Sequence, residues 1–211
     1  MKKVAFVTRV ISSGGAENVL RQIVCACANQ GMECTVFTVW KNINTVTLPE
    51  NVKVVELEQA GDGLKGKFIQ YSQMRKLICE EKCDLVLSMP EDIGIYVIPA
   101  MLGTGIPVVV SERNNPWVMP NKKVTRILRR LMYPFVSGLI FQTKQAASFF
   151  PASQQKKGIV LPNPLDCSRL PDVYQGEREK TVVSAGRLVA QKNFPLLIDA
   201  FARFYKTHPD Y

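Results

Sequence analysis

Lys3-Val4-Ala5-Phe6-Val7-Thr8, the loop Arg9-Val10-Ile11-Ser12-Ser13-Gly14-Gly15, a helical-period stretch over 16–29 and the apolar run Cys34-Thr35-Val36-Phe37-Thr38-Val39 follow one another without interruption. A short apolar run, a helix and a second apolar run form the β-α-β unit of a parallel sheet, because parallel neighbours need a crossover long enough to hold a helix. Working outward, further strands are expected over 52–57, 84–88, 107–111, 138–142 and 158–161, with helices over 67–81, 93–102, 121–133 and 144–149. Several of these runs are apolar without alternation, as strands covered on both faces must be. The expected fold is α/β, a Rossmann-like parallel sheet flanked by helices.

The pattern changes after residue 161. Pro162-Asn163-Pro164 leads into a polar stretch with Pro171, Gly176 and Glu177-Arg178-Glu179-Lys180, and a strand over 181–186 and a helix over 194–205 follow. This divides the chain into a domain over 1–165, a linker over 166–180 and one β-α unit over 181–211. One such unit cannot build a sheet, so it reads as the opening of an incomplete second domain. Its apolar residues Phe194, Leu197, Ile198, Phe201 and Phe204 lack a sheet to cover and suggest self-association.

The 211 residues are 46% apolar and 21% charged, enough for a packed core. The net charge of +9 is unevenly placed: residues 113–165 hold nine basic groups and no acidic one, whereas the flanking parts are nearly balanced. A block of one sign points to an anionic partner such as phosphate, nucleic acid or an anionic lipid surface. The six cysteines show no CxxC spacing, and Met1-Lys2-Lys3 runs straight into a strand, so neither a zinc site nor a secretory signal is supported. No apolar run nears the roughly 18 residues that cross a bilayer. The reading is a reduced, cytosolic protein whose cysteines are small core residues. The sole histidine, His208, disfavours a His-based triad or metal cluster, and no metal ligands are assigned.

Gly14 and Gly15 let backbone approach a ligand at a helix start, where unpaired N–H groups attract anions; a tight turn explains them equally well. Glu17, in the first helical turn, suits the helix dipole. GxGxxG is absent and the second strand ends at Val39-Trp40-Lys41 without an acid, which disfavours a nicotinamide enzyme. Glu112, Arg113 and Asn114 in Ser111-Glu112-Arg113-Asn114-Asn115-Pro116-Trp117 follow a strand at the carboxyl edge of the sheet, where such sheets bind ligands, and suit the orientation of sugar hydroxyls, although a structural loop explains them about as well. Lys122-Lys123-Val124-Thr125-Arg126-Ile127-Leu128-Arg129-Arg130-Leu131 forms an amphipathic helix, with Val124, Ile127, Leu128 and Leu131 on an apolar face and Arg126, Arg129 and Arg130 on a basic one. That basic face is either solvated or meets anionic lipid; nucleic-acid binding lacks any recognisable module.

Gly14-Gly15-Ala16-Glu17, Ser111-Glu112-Arg113-Asn114, Phe141-Gln142-Thr143, Pro162-Asn163-Pro164 and Gly186-Arg187-Leu188-Val189-Ala190-Gln191-Lys192-Asn193-Phe194 occur in an order and spacing that resemble family 4 glycosyltransferases of the GT-B fold. The resemblance covers the first half, or slightly more, of such an enzyme. It implies retaining transfer of a sugar from a UDP- or GDP-sugar to a lipid-linked or saccharide acceptor, in polysaccharide or glycolipid assembly, with no cofactor and no obligatory metal. It further implies that Gly14, Gly15, Arg187 and Lys192 bind the donor diphosphate and that Glu112, Arg113 and Asn114 lie on the acceptor side. Lys122, Lys123, Arg126, Arg129 and Arg130 would face the cytoplasmic leaflet of the membrane. Many relatives carry a histidine in the region of Glu112 to Asn114, and this sequence has none there. The family's Glu-x7-Glu donor motif would lie beyond Tyr211, so this chain is expected to be a cut-down enzyme that does not turn over alone. The rival reading is a non-catalytic Rossmann-like module that docks on an anionic membrane or a partner protein.

Overall fold

The computed structural model of the chain describes all residues except 13, 42–46, 59–60, 62, 166 and 168–169. It divides into two compact units, Met1–Leu165 and Asp166–Tyr211.

The first unit is built on a seven-stranded, all-parallel sheet of β1 (Lys3–Thr8), β2 (Glu33–Thr38), β3 (Val52–Glu56), β4 (Leu85–Ser88), β5 (Val108–Ser111), β6 (Gly138–Phe141) and β7 (Gly158–Val160), in the order β3-β2-β1-β4-β5-β6-β7. The pleat sends alternate residues of β1 to opposite faces. Ala5 and Val7 join Phe37, Val86, Val110, Leu139 and Phe141 in one core, and Val4 and Phe6 join Val36, Leu87 and Ile140 in the other. Each fully buried side chain of this size contributes about 1.5–3 kcal/mol.

Helix α1 (Gly15–Asn29) covers the second core through Val19, Leu20 and Val24. Helices α2 (Gly63–Glu80) and α3 (Glu91–Met101) cover the first, where α2 presents Tyr71, Met74 and Ile78. Gly94 is the closest approach of α3 to the sheet: a Cβ there would lie 2.6 Å from Val110 Cγ1, so only hydrogen lets the helix sit this near. Helix α4 (Lys123–Met132) continues into a 3-10 turn, Tyr133–Phe135, and α5 (Lys144–Ser148) and α6 (Ala152–Gln155) precede β7.

The direction of the sheet's growth reverses at β1. Its neighbour β2 follows it through α1, whereas β4, on its other side, begins the run toward β7. The crevice outside the carboxyl ends of β1 and β4 is the place where open parallel sheets bind ligands. Arg9, directly after β1, crosses it to Asp92 in the first turn of α3, with Nη2 at 2.5 Å and Nε at 3.2 Å from Oδ2.

Three expectations are corrected. Only Cys34 and Cys83 among the six cysteines are buried, and burial raises both thiols to about 11. Helix α4 is rotated relative to the face expected for it. Val124, Ile127 and Leu131 are 68%, 58% and 55% exposed, while Thr125, Leu128, Arg129 and Met132 turn inward. Arg129 is therefore no membrane-facing cation: it is 4% exposed, donates from Nη1 to Met119 O (2.9 Å) and from Nη2 to Pro116 O (3.0 Å), and lies over the rings of Phe149 and Phe150.

The third correction concerns the second unit, described by itself. Residues 181–186 form no strand, and among the described residues of this unit there is no strand for them to pair with. A 3-10 turn (Ala190–Lys192) leads through Asn193, in the left-handed region at φ 46°, into α7 (Phe194–Tyr205). Phe204 stacks on His208 and meets Tyr211 edge-on. Leu196, Leu197 and Ile198 stay exposed.

Candidate active site at the carboxyl edge of the sheet

The loops after β1, β5, β6 and β7 emerge on one edge of the sheet, and three of the motifs singled out in the sequence meet there at one atom. Asn163 Oδ1 accepts from Arg113 Nη1 (2.7 Å) and from Gln142 Nε2 (3.0 Å), tying Ser111-Glu112-Arg113-Asn114, Phe141-Gln142-Thr143 and Pro162-Asn163-Pro164 together across 50 residues of chain. Thr143 next to Gln142 caps α5, its Oγ1 accepting from Ala146 N at 2.9 Å.

Arg113 is buried, yet its Nε and Nη2 have no hydrogen-bond partner. Burial pulls its guanidinium below the ordinary arginine range, and the Glu91 charge opposes this. The Arg113 backbone N–H donates to Glu91 Oε2 (3.2 Å) and Asn114 Nδ2 donates to Glu91 Oε1 (2.6 Å), so one buried carboxylate at the start of α3 sets the path of this loop. A guanidinium held from one side, with two donor nitrogens left over, suits an oxygen-rich ligand.

Glu112 does not face the cleft. Its backbone N–H continues the ladder to Ile140 O at 2.9 Å, and the pleat turns its side chain into the core, where it is 2% exposed. The hydroxyl of Tyr133 donates to Glu112 Oε1, and Arg129 Nη1 lies 3.6 Å from Oε2. Burial and then the Glu91 charge push the Glu112 carboxyl up to about 8, against Arg129 and the Tyr133 hydrogen bond. Burial, with Glu112 beside it, also raises the Tyr133 phenol. Expected on the acceptor side from its position in sequence, Glu112 instead has its side chain in the core, against Tyr133 and Arg129.

At the other end of the edge, Gly14 caps α1 in an extended conformation. Glu17 folds back over it, so that a Cβ on Gly14 would fall 2.2 Å from Glu17 Oε2, whereas nothing stands within 4 Å of a Cβ on Gly15. In the second unit Arg187 and Lys192 are both exposed, and the Lys192 stem passes 3.6 Å from where a Gly186 Cβ would lie. Sequence reasoning missed Arg9, Glu91, Asp92 and Tyr133. Only Arg9, at the very end of the first strand, carried a local signal for the site. Among the described residues no group of three or more His, Cys, Asp or Glu is arranged to hold a metal ion.

Residues 13–169 match the family model described as Glycosyltransferase Family 4. The chain belongs to this family. It is 27% identical to a Campylobacter jejuni α-1,4-N-acetyl-D-galactosaminyltransferase, whose name gives GalNAc-α-(1→4)-GalNAc-α-(1→3)-diNAcBac-PP-undecaprenol as its acceptor, over 98% of the chain and 58% of that protein. It is 22% identical to an uncharacterized glycosyltransferase of Haemophilus influenzae over the whole chain and 60% of that protein. The chain thus spans less than two thirds of either relative. Among solved structures, Anabaena HepE with UDP and glucose shares the fold at a TM-score of 0.60 and 15% identity, covering 79% of this chain and 45% of HepE. Acinetobacter baumannii MurG does so at 0.54 and 16%, covering 81% and 48%. The family 4 glycosyltransferase fold is therefore that of a GT-B enzyme's Rossmann-like domain, and glycosyl transfer is the activity of its relatives.

Proposed function

We propose that this family 4 chain serves the retaining transfer of a sugar from a nucleoside-diphosphate sugar to a hydroxyl of a lipid-diphosphate-linked saccharide. The supporting observation is the convergence of Arg113, Gln142 and Asn163 on the sheet edge that also carries the Gly14-Gly15 turn. Unit Met1–Leu165 takes the acceptor, with Arg113 and Asn114 aligning its hydroxyls. Gly14, Gly15, Arg187 and Lys192 serve the donor diphosphate. The leaving nucleoside diphosphate gains negative charge as its bond to the sugar breaks, and fixed cations with N–H donors stabilise that charge without reorganising. UDP is the donor base we favour, since HepE was solved with UDP and with UDP-glucose.

Titrating the chain with UDP and with GDP tests the donor side. UDP binding should weaken about ten-fold or more on the double substitution Arg187→Ala, Lys192→Ala, the loss of one or two hydrogen bonds to a charged partner. Binding indifferent to both changes would refute the assignment.

No helix among the described residues is long and apolar enough to cross a membrane. The outward face of α4 nonetheless suits docking on its surface. Val124, Ile127 and Leu131 stand exposed, followed by exposed Phe135, with Lys122, Lys123, Arg126 and Arg130 beside them. Arg126 fastens the preceding loop with its exposed Trp117 and Val118 to the helix, Nη2 donating to Val118 O at 2.6 Å. Apolar insertion flanked by cations is the chemistry of a peripheral helix on anionic lipid, each cation adding about 1 kcal/mol. Sedimentation with phosphatidylglycerol vesicles should fall at least about ten-fold for Ile127→Glu, Leu131→Glu. Equal sedimentation of that variant would remove the membrane from the reading.

A further inference from the structure

Beside the Arg9–Asp92 bridge lies a cavity of about 210 Å³ whose lining includes Trp40, Lys67, Gln70, Tyr71, Asp92 and Tyr96. It sits where the chain leaves β2, with the starts of α2 and α3 for walls. Its volume is below the roughly 300–1,000 Å³ that encloses a drug-sized ligand, so it suits a single sugar ring rather than a nucleotide.

The chemistry of the walls is that of a sugar site. Trp40 is half exposed and offers an indole face to the C–H face of a pyranose. Tyr71 and Tyr96 stack at 5.5 Å and form a second aromatic wall, with Lys67 Nζ donating to Tyr96 Oη at 2.9 Å. Gln70 Nε2 donates to Val39 O at 2.7 Å, which fixes the amide and leaves its oxygen as an acceptor. Asp92 Oδ2 takes both contacts from Arg9, and the Asp92 side chain, 30% exposed, lines the cavity. A carboxylate exposed in the wall of a cavity is an acceptor for a ligand hydroxyl, and a hydrogen bond to a charged group is among the stronger ones. Arg9, 5.8 Å from the Trp40 ring centre, holds indole and carboxylate in one frame.

We propose that this cavity is a monosaccharide subsite, in which Trp40 stacks on one sugar ring of the acceptor and Asp92 and Gln70 accept its hydroxyls. This rests on the transferase reading above and adds to it a second point of acceptor recognition, separate from Arg113 and Asn114.

Saturation-transfer NMR on the 211-residue chain with the methyl α-glycosides of N-acetylgalactosamine, galactose and glucose decides it. At least one glycoside should bind. Trp40→Ala and Asp92→Asn should each weaken it about ten-fold or more, the loss of one stacking partner or one charged acceptor. UDP should not displace it. Trp40, being half exposed, tolerates truncation, so its variant stays informative if breaking the Arg9–Asp92 pair unfolds the chain. No glycoside bound at up to about 100 mM, binding unchanged in Trp40→Ala, or displacement by UDP would each overturn the proposal. UDP bound without any glycoside removes the subsite and spares the transferase reading. Glycoside binding that depends on Trp40, in a chain that ignores UDP, does the reverse.

Discussion

Glu112→Ala should destabilise the first unit by about 2–5 kcal/mol, the range for an unfilled cavity together with a buried hydroxyl left without its partner. The substitution leaves the fully buried Tyr133 hydroxyl without an acceptor and removes the carboxyl group 3.6 Å from the buried Arg129 guanidinium. It also opens a void between the end of β5 and α4 that neither element can close, because Arg129 remains pinned to the carbonyls of Pro116 and Met119. In a chain of this size the melting midpoint should fall on the order of 10 °C. Glu112→Gln keeps the volume and an acceptor for Tyr133, and should cost less than about 1.5 kcal/mol at neutral pH. Thermal and urea unfolding of both variants check this, and an alanine variant that melts within a degree or two of the native chain would contradict the network.

The same residue marks the boundary of what the sequence could reveal. The seven strands of the first unit were legible to within a residue or so, since short apolar runs between turn residues are fixed by local composition, whereas the strand expected over 181–186 has no partner and does not form. Helix α2 begins four residues before the expected start, at Gly63. Gly66, a residue of low helix propensity, is buried inside the helix, where packing overrides propensity. The face of α4 was misread for a different reason. Helical periodicity groups Val124, Ile127, Leu128 and Leu131, but the partners that pull Arg129 inward come from Glu112, Pro116, Met119, Phe149 and Phe150, all outside the helix. A pattern that sees only neighbours along the chain has no access to such a preference. Likewise Ser111-Glu112-Arg113-Asn114 reads as a polar loop, although ladder bonding persists to Glu112 and separates an inward acid from an Arg and Asn at the edge. The motifs themselves were visible; that Asn163 is the point where three of them join was not.

Alkaline pH should weaken the fold through Glu112, and the sign follows from where the proton resides. The folded carboxyl titrates near 8, raised first by burial and then by the Glu91 charge, against an ordinary value of 4.5 in the unfolded chain. Between these two values the unfolded state has released a proton that the folded state still holds. The stability contributed by the protonated acid is complete below about pH 4.5, declines as pH rises, and is lost once pH passes about 8. The slope reaches at most about 1.4 kcal/mol per pH unit for one proton. Ionisation is resisted first because burial strips the anion of water and then because the Glu91 charge repels it, and Arg129 at 3.6 Å and the Tyr133 hydrogen bond offset only part of this. Glutamine at this position mimics the protonated acid and cannot ionise. Urea midpoints measured at pH 5, 7 and 9 should therefore fall steadily for the native chain and stay nearly level for Glu112→Gln, with the variant overtaking the native protein on the alkaline side. Parallel profiles for the two proteins would show that Glu112 is ionised throughout, and that Arg129 and the Tyr133 hydrogen bond outweigh burial and the Glu91 charge.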